Sequence, residues 1–140
     1  MVVRFFILLV SLSIAYSCNT TQETTSQNDP VIFAGTFVVN TLYDQPIEGD
    51  DLNLKINDRT SKISGFSGCN TYSVAFTKSN NTITFSPAIG TKIFCYENAM
   101  KKERQFLNIF ASPKEFSIKK DTLILYDGGK EVLKATRFIF

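Results

Sequence analysis

Ile63-Ser64-Gly65-Phe66-Ser67-Gly68-Cys69-Asn70-Thr71-Tyr72 decides the fold, because two glycines and a cysteine interrupt residues that otherwise pattern as strand. A phosphate-binding loop of similar glycine content would lead into a helix whose amides face the anion. Here Tyr72, Val74 and Phe76 alternate with Ser73, Ala75 and Thr77, a period of two that belongs to a half-buried strand. Gly65 and Gly68 therefore read as a bulge or a tight bend, as at a barrel corner. Asn70 reads as turn chemistry, either left-handed backbone or a side chain bonding nearby amides, and Tyr72 opens the strand that follows.

Working outward, Ser79-Asn80-Asn81-Thr82 predicts a hairpin turn, since asparagine tolerates positive φ, and Ile83 and Phe85 continue inward until Pro87. Upstream, Phe33, Phe37 and Val39 alternate roughly, and Leu52, Leu54 and Ile56 alternate cleanly with Asn53, Lys55 and Asn57. The stretches Tyr43–Pro46, Glu48–Asp51 and Asp58–Ser61 supply turn residues. From about Glu97 to Phe110 the period becomes helical, with Met100, Phe106, Leu107 and Phe110 on one stripe. Lys101, Lys102, Glu103, Arg104 and Gln105 mostly face solvent in this reading, and Ser112-Pro113 ends the helix. Phe116 and Ile118, Thr122 to Tyr126, and Val132 to Phe140 give the remaining strands, the last two segments joined through Asp127-Gly128-Gly129-Lys130. About seven to eight short strands with one α-helix inserted at about 97–110 predict a mainly β fold. The expected form is a small antiparallel β barrel or sandwich that covers its own edges, with the helix at one end or across an opening.

With 140 residues the chain has room for one domain plus a short extra segment. Its 13 phenylalanines and 5 tyrosines, with no tryptophan, must fill most of the core. The formal charge of +2 and the clusters Lys101-Lys102 and Lys119-Lys120 do not make the basic stripe of a nucleic-acid binder. The absence of histidine excludes Ser-His-Asp and Cys-His catalysis and any imidazole metal site. The carboxylates Asp44, Glu48, Asp50 and Asp51 lie in predicted turns, where acidic residues are ordinary. The expectation is a non-enzymatic monomer with no catalytic residues, metal or cofactor.

The N-terminus has its own pattern. Met1-Val2-Val3-Arg4 and the apolar run Phe5–Ile14 form an export signal over residues 1–17, shorter than the ~20 residues of a membrane-spanning helix. It closes on Ile14-Ala15-Tyr16-Ser17-Cys18, which resembles a bacterial lipobox, a small residue directly before a cysteine that becomes lipidated. Ordinary cleavage nearby, with Cys18 a free thiol, is the other reading. Residues 18–30 carry no apolar side chain larger than proline after Cys18, so they read as a flexible tether, and 31–140 as the domain. Attachment to the membrane through Cys18 places the domain in the bacterial cell envelope, on the outer membrane if the cell has two.

Taken in order, the bend with its Gly68-Cys69-Asn70 and Tyr72, then Thr91-Lys92-Ile93-Phe94-Cys95, a helix carrying Glu103, Phe106 and Leu107, and Asp121-Thr122-Leu123-Ile124-Leu125 together resemble the META domain family, the HslJ-like heat-shock and lipoprotein group. The resemblance covers about Gly35 to Phe140. The tryptophan often found in that family's first strand is absent, with Phe37 the nearest candidate. The resemblance implies a β-rich envelope domain, commonly lipid-anchored, and links to heat shock and to antibiotic tolerance, but no reaction.

Cys69 and Cys95 in an exported domain read as a disulfide, as two buried reduced cysteines, or as a redox or metal pair, the last disfavoured by the lack of C-x-x-C and of histidine. The functional expectation is a binding or stress-response module for a protein, a peptide or a small hydrophobic ligand. The alternative is a hydrolase or inhibitor-like module using Ser, Thr or carboxylate groups.

Overall fold

The computed structural model describes residues 32–49 and 51–139. The signal at 1–17, Cys18 with its tether to residue 30, and Asp50 lie outside the described residues.

The strands are β1 (Gly35–Leu42), β2 (Gln45–Pro46), β3 (Asn53–Asn57), β4 (Lys62–Phe66), β5 (Thr71–Ser79), β6 (Thr82–Phe85), β7 (Ile89–Gly90), β8 (Lys114–Lys119), β9 (Thr122–Asp127) and β10 (Lys130–Arg137). A helix, α1 (Glu97–Asn108), runs into a single 3₁₀ turn, Ile109–Ala111, between β7 and β8. Neighbouring strands follow the order β1-β3-β4-β5-β6-β8-β9-β10, all pairs antiparallel, and β10 returns to pair with β1. The result is a closed eight-stranded antiparallel barrel, with β2 and β7 as two-residue additions on β1 and β5. Closure leaves the eight principal strands no free edge.

Alternation along each strand sets the interior. Phe37 and Val39 on β1, Leu54 and Ile56 on β3, Tyr72, Val74 and Phe76 on β5, Leu123 and Leu125 on β9, and Leu133 and Ala135 on β10 are buried together in one core. Phe37 is fully buried, and the Arg137 guanidinium lies 4.6 Å from its ring centre. Turn chemistry follows the sequence: Asn80 and Lys120 take positive φ in the β5–β6 and β8–β9 hairpins, as Gly128 and Gly129 do between β9 and β10.

The β6–β8 seam is the shortest pairing among the eight principal strands, made at Thr82 with Glu115 and at Ile83 with Lys114. It is also where the chain leaves to make α1 and returns. Phe106 and Phe110 close the barrel there, packing on Tyr72 at 5.3 and 5.5 Å between ring centres, while Phe110 meets Phe85 at 5.0 Å. Ile109, omitted from the predicted stripe, is fully buried, since it follows Phe106 by three residues and shares its face.

The two ends of the barrel differ. The chain enters β1 at Gly35, opposite Ile56 and close to the Asp58–Ser61 turn, with Phe33 packed on Phe76 and Phe116. The Ser67–Asn70 bend lies at the other end of β3, where Leu52 bridges Ser67.

Candidate functional site

The bend between β4 and β5 is built by close approach. A Cβ on Gly65 would stand 2.3 Å from the Asn53 carbonyl oxygen and 2.6 Å from its Oδ1, so β4 passes over Asn53 only because residue 65 has no side chain. Gly68 has φ +95°, a conformation that L side chains rarely adopt, and turns the chain back. The Asn70 carbonyl accepts from the Ser67 backbone N–H at 2.8 Å, closing the turn.

Asn70 is buried, and its side chain makes every bond that an amide can make. Its Oδ1 accepts from the Thr91 hydroxyl and from the Ile93 N–H, both at 2.7 Å. Its Nδ2 donates to Glu103 at 3.1 Å and to the Ile93 carbonyl at 3.3 Å. Glu103 Oε2 accepts a further bond from the Asn70 backbone N–H at 2.8 Å and lies 2.7 Å from Ser67 Oγ. The predicted left-handed backbone at Asn70 is not adopted, and its second predicted role, bonding nearby amides, is the one observed. Glu103, expected among the solvent-facing residues of the helix, turns inward instead. Three donors at the bend compensate its desolvation, which a helical period cannot reveal.

Cys69 and Cys95 form a disulfide, with their Cα atoms 6.0 Å apart. The bond ties the segment before α1 to the bend, and Asn70 pins the same segment through both backbone groups of Ile93. Tyr72 donates from its hydroxyl to the Asn53 carbonyl at 3.0 Å, and burial pushes its phenol far above the ordinary range.

This scaffolding holds apolar side chains in water. Phe94 and Tyr96, on either side of the bridged Cys95, are 88% and 92% exposed, and Ile93 is 62% exposed. The two rings border an open groove of about 800 Å³ lined by Phe94, Cys95, Tyr96, Glu97, Met100 and Arg104. Met100, expected on the buried stripe, is half-buried in the groove wall. Sequence reasoning missed Phe94 and Tyr96 as functional residues. The available signal was an aromatic pair flanking a cysteine in a stretch with neither period, 89 to 96. A smaller cleft of about 230 Å³ touches Ser67, Asn70, Thr91 and Glu103, whose polar atoms there are committed to one another. Among the described residues no group of three or more Cys, Asp or Glu is placed to hold a metal ion.

The META domain family model matches residues 29–137, which includes the whole barrel, the bend and the helix, and the chain belongs to that family. A search of curated proteins found no match. Among solved structures, one protein determined by NMR superposes with a TM-score of 0.60 at 17% identity, over 76% of this chain and 91% of its own. A second, an NMR structure of a protein from Burkholderia xenovorans, gives 0.60 at 18% identity, over 76% of this chain and 83% of its own. At such identities the likeness is one of fold.

Proposed function

We propose that the protein is an exported META-domain module, anchored to the cell envelope by lipid on Cys18, that binds a ligand through the face formed by Ile93, Phe94, Tyr96 and the start of α1. The observation that carries the binding reading is the fixed exposure of Phe94 and Tyr96. A disulfide and two hydrogen bonds to Ile93 immobilise backbone whose side chains remain in water. Large apolar groups presented in this way mark interaction surfaces. The binding reading is favoured over hydrolysis because Ser67 is fully buried and Glu103, the carboxylate beside it, is occupied by Asn70. The envelope anchor follows from the lipobox-like Ser17-Cys18 and the polar tether, and the stress role from family resemblance.

The test places a photo-crosslinking phenylalanine analogue at position 96 in cells under heat or novobiocin, with position 81, in the β5–β6 hairpin, as control. Adducts at 96 and not at 81 support the binding face; equal yields or none reject it. Palmitate-analogue labelling of wild type and of Cys18→Ala tests the anchor, which fails if both label equally.

A further inference from the structure

We infer that the Ile93–Tyr96 loop docks on a lipid bilayer carrying anionic headgroups, giving the barrel a second, non-covalent membrane contact. The inference rests on the binding reading above and names the occupant of that face.

Three observations converge on it. First, the exposed side chains are those suited to a membrane interface: Phe94 and Ile93 are apolar, and Tyr96 is an amphipathic ring with a polar tip. They project from a short loop held at two points, so inserting them would cost little further ordering. Second, the surrounding charge is positive. Lys92 precedes the loop, Lys101 is exposed on α1 and Arg104 lines the groove, against one exposed carboxylate, Glu97. Lys102 is neutralised by Asp51 at 2.9 Å, and Glu103 is turned into the Asn70 network. Basic side chains around apolar ones suit the negative surface of an anionic leaflet. Third, the tether allows the pose. Cys18 and Ile32 are fourteen residues apart in the chain, a span of up to ~50 Å when extended. The nine residues of β5 measure roughly 30 Å. A chain entering β1 at the far end of the barrel can therefore reach a membrane on which the loop end rests.

The chain contains no tryptophan, so one introduced indole is a unique probe. Full-length Phe94→Trp is mixed with phosphatidylcholine vesicles with or without phosphatidylglycerol, and Ile32→Trp, at the opposite end, is the control. Because the readout is local, the apolar N-terminal segment does not confound it. The expected result for Phe94→Trp is a blue shift of its indole emission and quenching by brominated lipid, several-fold stronger with phosphatidylglycerol. Added salt, or Lys92→Glu with Arg104→Glu, weakens both effects several-fold, and the indole of Ile32→Trp stays unquenched. Retention of the Cys69–Cys95 bond and of cooperative unfolding in each variant excludes misfolding as the cause of a loss. Emission of Phe94→Trp unchanged by vesicles, or quenching equal in the two variants, overturns the inference. If position 96 crosslinks to protein while Phe94→Trp ignores lipid, the binding face stands and the lipid assignment alone falls.

Discussion

Glu103 on α1 reaches the bend before β5 and accepts from the Asn70 backbone N–H at 2.8 Å and from its side-chain amide at 3.1 Å. One carboxylate thereby fastens the inserted helix to the barrel mouth, and Asn70 passes the constraint to the loop at Thr91 and Ile93.

Removing that carboxylate leaves buried donors on Asn70 without a partner. Glu103→Ala is expected to lower unfolding stability by about 2–3 kcal/mol, and Glu103→Gln, which keeps an acceptor but loses the charge, by about half as much. Lys102→Ala, at the neighbouring residue but in an exposed pair with Asp51, should cost less than about 1 kcal/mol. Urea midpoints of the three variants measure this; similar values for Glu103→Ala and Lys102→Ala would show that the network carries no special stability.

The disulfide closes a loop with a sequence separation of 26 residues. In the chain-entropy account such a crosslink contributes roughly 3 kcal/mol. Reduction, or Cys95→Ser, is expected to lower the melting temperature on the order of 10 °C while leaving the barrel folded. Thiol titration of the unfolded, unreduced chain supplies an independent check, since free sulfhydryls at both Cys69 and Cys95 would contradict the bond.

Gly65 and Gly128 separate two reasons for glycine. A methyl group at 65 meets backbone oxygen at 2.3 Å, whereas nothing lies within 4 Å at 128, where only the positive φ matters. Gly65→Ala should therefore cost about 2–3 kcal/mol and Gly128→Asn less than about 0.5 kcal/mol, because asparagine accepts left-handed backbone. Equal losses in denaturant titrations would mean that β4 can move away from Asn53.

The barrel was legible because its strands carry their own signals. Leu54 and Ile56, Val74 and Phe76, and Leu123 and Leu125 alternate, and Asn80 and Gly128-Gly129 punctuate them. The two-residue strands escaped notice, since Gln45–Pro46 and Ile89–Gly90 are too short to show a period and exist only by pairing with β1 and β5. The site was legible in part. Cysteine spacing and the bend pointed to Cys69, Asn70 and Cys95, but Asn70 works through residues 21 to 33 positions away, a relation made when the segment after β7 and α1 pack on the bend. Exposure of Phe94 and Tyr96 was hidden for the opposite reason: composition assigns aromatics to the core, and only packing shows which of them the core leaves out.

Tyr72 links stability to pH at the alkaline end. Its phenol is buried against Phe106 and Phe110 and donates to the Asn53 carbonyl, so the folded protein holds the proton far more tightly than the unfolded chain, where the pKa is about 10. Because the folded pKa is raised, the contribution is fully present below about pH 10 and is lost as pH rises above that value, with the unfolded state releasing its proton first. The slope should approach about 1.4 kcal/mol per pH unit. Tyr72→Phe is expected to cost about 1 kcal/mol near neutrality, through loss of one hydrogen bond, and to flatten the decline above pH 10. Urea unfolding of both proteins across about pH 7 to 11.5 tests the linkage, and parallel curves for the two would assign alkaline instability to other groups.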